Sequence, residues 1–176
     1  MSRLAPVAPH DQHHAPLPYA PAVRRRSYDI LGDPLHVLLS AEESGGERAV
    51  FLMTNLPGSV VPTHVHDREG EAFYVLEGAY TFEVGGKSRR MEVGSSAFAP
   101  AGTPHGFRVE GAQRAATLVV STPGGLEAMF RALDGFHMRG PQDVPALAAI
   151  LERHGTHLVA PTTAACTVPP QSPSIR

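Results

Sequence analysis

The sequence predicts an all-β protein, a small barrel or sandwich of antiparallel strands followed by two short helices. Three observations predict it. Between Leu35 and Thr122 the chain falls into nine short apolar or alternating runs: LHVLLS, RAVFLMTN, SVVPTHVH, EAFYVLEG, AYTFEV, SRRMEV, SAFAP, HGFRV and RAATLVVST. Most are of strand length and are punctuated by Gly-Gly or Pro-Gly signals. Tight turns join them, which points away from a parallel α/β sheet. After Thr122 the apolar period becomes helical.

Taken in order, residues 1–26 carry Pro6, Pro9, Pro16, Pro18 and Pro21 among polar and small residues. Such a composition cannot keep a regular backbone hydrogen-bonded or bury much surface, so an extended, flexible arm is expected. Residues 27–122 are expected to form the barrel. Within it Gly85-Gly86, between AYTFEV and KSRRMEV, suits a tight hairpin because both residues can take positive φ. Residues 123–156 are expected to hold the helices. Leu126, Met129, Phe130 and Leu133 fall at helical spacing, with Thr122 as N-cap, Pro123 in the first turn and Gly135 at the stop. A second helix is expected from Asp143 to His154, with Leu147, Ile150 and Leu151 on one side and Gly155 ending it. Both are expected to pack on the outside of the barrel. Residues 157–176 resemble the N-terminal arm in composition and are expected to form a flexible tail.

Composition narrows the function classes. A chain of 176 residues, 42% hydrophobic and with a formal net charge of −2, suits one domain with terminal extensions. Neither acid nor base is in excess, so neither nucleic acid nor a membrane surface is expected as a partner. Arg24-Arg25-Arg26 reads as a solvated linker. No apolar segment precedes a small-residue cleavage site, and Cys166 stands alone, so no internal disulfide is expected and a cytoplasmic location fits. Lys87 is the one lysine among 15 Lys and Arg residues, a bias associated with GC-rich bacterial genomes.

The coordinating chemistry sits in GSVVPTHVHDREGEAFYVLEG, residues 58–78. Side chains two apart on a strand share a face, so His64 and His66 project together. Two adjacent buried imidazoles repel if protonated and need a common partner. A metal ion meets that need, and Glu71, after the turn DREG, can reach the same point. Asp67 and Glu69, in the turn, are expected to be solvated. A second segment, GSSAFAPAGTPHGFRV at 94–109, uses Pro100, Gly102 and Pro104 as a rigid turn that delivers His105 to a further strand. Three imidazoles and one carboxylate fill part of a five- or six-coordinate shell, leaving positions open for water, O2 or a substrate oxygen.

These two segments resemble the motifs of the cupin superfamily. Gly58, His64, His66, Glu71 and Gly78 match the first motif, and Gly94, Pro100, Gly102 and His105 match the second. An asparagine that often follows is replaced by Val109, which removes a polar contact but no metal ligand. The resemblance implies a jelly-roll β-barrel with one divalent transition metal (Fe, Mn, Ni, Co, Cu or Zn) held by His64, His66, Glu71 and His105. It does not imply a single reaction.

Strand alternation supplies the expected lining. Phe73 and Val75 follow Glu71 inward, Phe107 and Val109 follow His105, and Tyr80 with Phe82 form a further pair, while Phe130 caps the mouth from the first helix. The expected pocket is apolar and lacks a cationic set for a sugar phosphate or dicarboxylate. It suits an aromatic, phenolic or polyketide-like substrate. The resemblance extends to the quercetinase-type dioxygenases among the cupins, which implies O2 as co-substrate and Glu71 as both ligand and general base. The alternatives are a non-oxidative natural-product cyclase, isomerase or dehydratase using the same metal, and a ligand-binding cupin without turnover. His10, His13, His14, His36, His137, His154 and His157 are read as lying outside the site. A homodimer is expected, with the strand at Leu35–Leu39 pairing across a two-fold axis.

Overall fold

In the computed structural model the described residues are 26–159. Most of the expected arm and tail, with His10, His13, His14 and Cys166, lies outside them.

All nine expected runs are strands: β2 (Asp33–Leu39), β3 (Ala49–Asn55), β4 (Val60–His66), β5 (Gly70–Glu77), β6 (Ala79–Val84), β7 (Lys87–Glu92), β8 (Ser96–Ala99), β9 (His105–Glu110) and β10 (Ala115–Thr122). Two short strands escaped the sequence reading, β1 (Ser27–Ile30) and β11 (Thr156–Leu158). Both are too short to show a period. The strands form two antiparallel sheets in the orders β1-β2-β3-β10-β5-β8 and β11-β4-β9-β6-β7, the two layers of a jelly-roll barrel.

Alternation fills the space between the layers. Ala49, Phe51 and Met53 of β3, Phe73 and Val75 of β5, and Thr117 and Val119 of β10 face inward and are buried. From the other sheet come Tyr80, Phe82 and Phe107, whose rings pack with centroids 5.0–5.5 Å apart. These are normal edge and tilted contacts for a core built on aromatic rings. Val109, at the departure from the motif, is buried in the same core.

The Gly85-Gly86 hairpin forms as expected, with φ of 58° and 75° and Val84 opposite Lys87. At the β5–β6 junction Gly78 has φ +74°, and a Cβ there would lie 2.7 Å from the Cβ of Ala115. Both conformation and close approach therefore demand glycine.

The helices start later than expected. Thr122 remains in β10, paired with Gly70, so α1 spans Leu126–Leu133 with Gly125 at its N-cap, and Gly135 (φ +72°) follows its end. A 3-10 turn, Pro141–Asp143, precedes α2 (Val144–Glu152). They pack against the barrel at one end. Met129, Phe130 and Leu133 of α1, with Leu147 and Leu151 of α2, close one end of the barrel and line its cavity. Their apolar stripes are thereby satisfied by the open barrel mouth. Phe130 meets Phe51 edge-on at 5.0 Å. Glu127, nearly buried, ties α1 to the first sheet by accepting from Arg26 (3.0 Å) and from the Ala41 amide (3.1 Å).

The expected dimer contact through Leu35–Leu39 is corrected by the sheet order. Strand β2 lies between β1 and β3, and beyond β1 the Val37 amide donates to the Arg26 carbonyl, so this edge is already occupied.

Gly78→Ala tests the packing of the β5–β6 corner. A loss of roughly 2 kcal/mol or more in unfolding free energy is expected in a denaturant titration.

Candidate metal centre

The four candidate ligands come from three strands and both sheets. His64 and His66 lie on β4, His105 opens β9 directly opposite His64, and Glu71 lies near the start of β5 in the facing sheet. The register of β4 on β9 shifts between Val61 and His64, an irregularity of the kind that re-aims side chains. The Pro100–Pro104 turn is docked on the same strand, because the Gly102 amide donates to the His66 carbonyl at 2.8 Å. His105 is thus delivered by a loop that is itself anchored to a ligand.

The outer ring nitrogens decide what the inner ones can do. Nδ1–H of His64 donates to the Pro62 carbonyl and Nδ1–H of His105 to the Thr103 carbonyl, each at 2.8 Å. Carbonyl oxygens only accept, so both Nδ1 atoms carry hydrogen and both neutral rings present an Nε2 lone pair inward. For His66 the partner is the buried hydroxyl of Thr156 on β11, 2.8 Å from Nδ1, and that hydroxyl donates onward to Met129 Sδ at 3.2 Å. Its oxygen is then left to accept from His66, giving the third ring the same tautomer.

The inner atoms are correspondingly crowded. His64 Nε2 lies 3.1 Å from His66 Nε2, and Glu71 Oε2 lies 3.0 Å from His66 Nε2 and 2.8 Å from His105 Nε2. The four ligand atoms all lie within 4.8 Å of one another. An ion about 2.0–2.1 Å from nitrogen and oxygen donors holds neighbouring donors roughly 3 Å apart, which is the spacing present. The donor set therefore fits a divalent transition metal.

Protons can supply some of the same positive charge. Burial lowers the His105 pKa, but the hydrogen bond and charge of Glu71 outweigh it and push that pKa up. Burial also raises that of Glu71, yet hydrogen bonds from His105 and His66 hold its carboxyl far below the ordinary range. Burial, reinforced by the charge on His105, takes His64 down to about 4, so its Nε2 stays a free donor atom at neutral pH.

Above this set lies a cavity of about 90 Å³. Phe73, Phe107 and Phe130 line it as expected. Val75, Tyr80 and Phe82 do not. They are buried in the same interior but do not reach the cavity, with the Tyr80 and Phe82 rings packed together and the Tyr80 hydroxyl donating to Asn55 at 3.0 Å. Alternation specifies the face of a sheet, not the depth along it. Glu69 corrects a second expectation: it is buried, with its side chain against Gly125 at the start of α1. Asp67 is exposed and lies 3.1 Å from His157 on the surface, away from the centre. Thr156 and the carbonyls of Pro62 and Thr103 were not foreseen. Thr156 carries no local signal, since it stands 90 residues from His66 in a three-residue strand.

A jelly-roll barrel with three imidazoles and one carboxylate converging inside it defines a class, the small metal-competent β-barrels. Within that class the chain resembles the small cupins. Residues 51–121 match the family model described as Cupin domain. Over 105 residues the chain is 29% identical to quercetin 2,3-dioxygenase of Bacillus subtilis (strain 168), an alignment covering 59% of this chain and 31% of that protein. The chain thus matches about a third of the length of that relative. Among solved structures, one described as a predicted oxalate decarboxylase from Thermotoga maritima is 26% identical with a TM-score of 0.50, covering 56% of this chain and 91% of that one. KdgF from Halomonas sp. shares the fold at 22% identity and a TM-score of 0.51, over 57% and 87% of the two chains.

The Thr156 contact yields a direct test. Thr156→Val removes the acceptor for His66 Nδ1–H and should weaken zinc affinity about 10–100-fold in a chelator competition, whereas Thr156→Ser should stay close to the parent protein.

Proposed function

We propose that this protein is a metal-dependent dioxygenase acting on a small enolic aromatic substrate, with chemistry like that of the quercetinases. The observation that carries the reading is the placement of three inward imidazole nitrogens and an ionised carboxylate at the floor of an otherwise apolar cavity. The alignment with quercetin 2,3-dioxygenase supports the same direction.

His64, His66, Glu71 and His105 would hold the ion, which supplies Lewis acidity toward an enol oxygen and, if redox-active, access to O2 chemistry. The remaining work falls to the protein. Glu71, whose Oε2 sits among the inward imidazole nitrogens, accepts the enol proton on a carboxylate oxygen as the substrate seats. Phe73, Phe107 and Phe130 hold the ring and exclude water, so a proton moved to Glu71 is not exchanged with bulk solvent. Both oxygen atoms of O2 enter the product as a carbon–carbon bond breaks, so no external reductant is needed.

Metal analysis and oxygen-electrode traces test the reading together, using hydroxylated aromatics and flavonols as substrates. About one ion per chain, lost on His64→Ala, with O2 uptake is expected. Glu71→Gln should retain part of the metal while lowering turnover roughly 100-fold or more, and undiminished turnover removes Glu71 as the base. Stoichiometric metal without O2 uptake on any of these substrates transfers the site to non-oxidative cyclisation, isomerisation or dehydration, for which the same proton transfer serves.

A further inference from the structure

A second cavity of about 80 Å³ abuts the first, and the two share Ile30, Leu31, Met53 and Val61 as a common wall. Ile30 and Met53 are buried core residues, whereas Leu31 and Val61 are half-buried and packed at the edge of the core. The far end of the second cavity is polar, formed by Asp33 and Ser59. There Asp33 Oδ1 accepts from the Leu56 amide (2.9 Å) and the Ser59 hydroxyl (2.8 Å), and Oδ2 accepts from Asn55 (2.8 Å). A carboxylate offers about four acceptor positions, so this one retains capacity for one more donor.

Leu31 is the anomalous member of the wall. It forms the two-residue turn between β1 and β2 with Gly32, and their φ values are +57° and +96°. Such a turn needs left-handed backbone at both positions and favours Asn-Gly, while a leucine is strained there. Turn formation does not account for the side chain. Its position does, since the strained backbone sets an apolar side chain between the two cavities, at the tip of a hairpin where it can swing without breaking a sheet ladder.

We propose that the second cavity is a subsite for a hydroxylated aromatic ring, and that Leu31 with Val61 is the partition governing access to it. The reading rests on the metal set as the anchor for an enol oxygen. A one-ring substrate occupies the first cavity alone. A substrate with a second ring displaces Leu31, lies between Met53 and Val61, and donates its distal hydroxyl to Asp33. Leu31 thereby determines how long a substrate the site accepts.

Three probes separate the anchor from the partition: acetylacetone, which offers enol oxygens and no ring; phenol, with one ring; and 4-hydroxybiphenyl, with two rings and no enol. Binding to the zinc-loaded chain is measured by calorimetry for the parent, Leu31→Gly and Val61→Ala. The expected result is about tenfold tighter binding of 4-hydroxybiphenyl relative to phenol in both variants, with acetylacetone within about twofold of the parent. Val61→Ala leaves the β1–β2 turn intact, and thermal melts confirm that both variants are folded. An unchanged biphenyl-to-phenol ratio in folded Leu31→Gly and Val61→Ala overturns the partition. Failure of acetylacetone to bind the zinc-loaded parent overturns the anchor instead, and the ring probes still report on the partition.

Discussion

Four hydrogen-bond acceptors meeting at one point is the constraint from which the rest of this molecule can be understood. Three imidazole nitrogens and a carboxylate oxygen, with neighbouring contacts of 2.8–3.1 Å, cannot satisfy one another without positive charge between them. The outer hydrogen bonds to Pro62, Thr103 and Thr156 remove the easy escape, a flipped ring or an altered tautomer. The set is therefore one that positive charge, from a proton or a metal ion, could complete.

The surrounding structure keeps that arrangement from relaxing. Strand β4 carries two of the rings and is gripped on one edge by β9 and on the other by β11. Glu71 reaches across from the opposite sheet, so moving it means separating two layers joined by an aromatic core. The helices and the β1–β2 hairpin roof the apolar space above, and strand β1 is tied to the end of α1 by the Asp29 amide donating to Asp134 and the Gly135 amide donating to the Asp29 carbonyl. Low polarity in that space strengthens every charge interaction at its floor.

Much of this was legible in the chain itself, for reasons that are physical and local. His64 and His66 share a face because strand period is two, and the Pro100–Pro104 turn marks where His105 must emerge. The nine strands announced themselves by alternation and by turn glycines. What escaped notice depends on contacts between distant residues. Thr156 lies in a strand of three residues, β1 in one of four, and neither has length enough for a pattern. Glu69 looked like a solvated turn acid because its burial is created by Gly125, whose missing side chain makes room for it. Val75, Tyr80 and Phe82 face the expected way but lie beyond the cavity, a distinction that requires knowing where the helices close the barrel. Leu35–Leu39 looked like a free edge because the strand that covers it, β1, was too short to see.

The position of β11 has a consequence for biosynthesis. His64 and His66 leave the ribosome 90 residues ahead of Thr156, the residue that fixes the second ring and belongs to the strand covering β4. At typical elongation rates of about 5–20 residues per second, the nascent chain spends roughly 5–20 seconds with two ligands synthesised and one edge of their strand bare. A metal ion captured in that interval meets a looser site than the finished one, with His66 free to offer either nitrogen. The last described strand of the domain thus fixes when during synthesis the donor set acquires its final geometry.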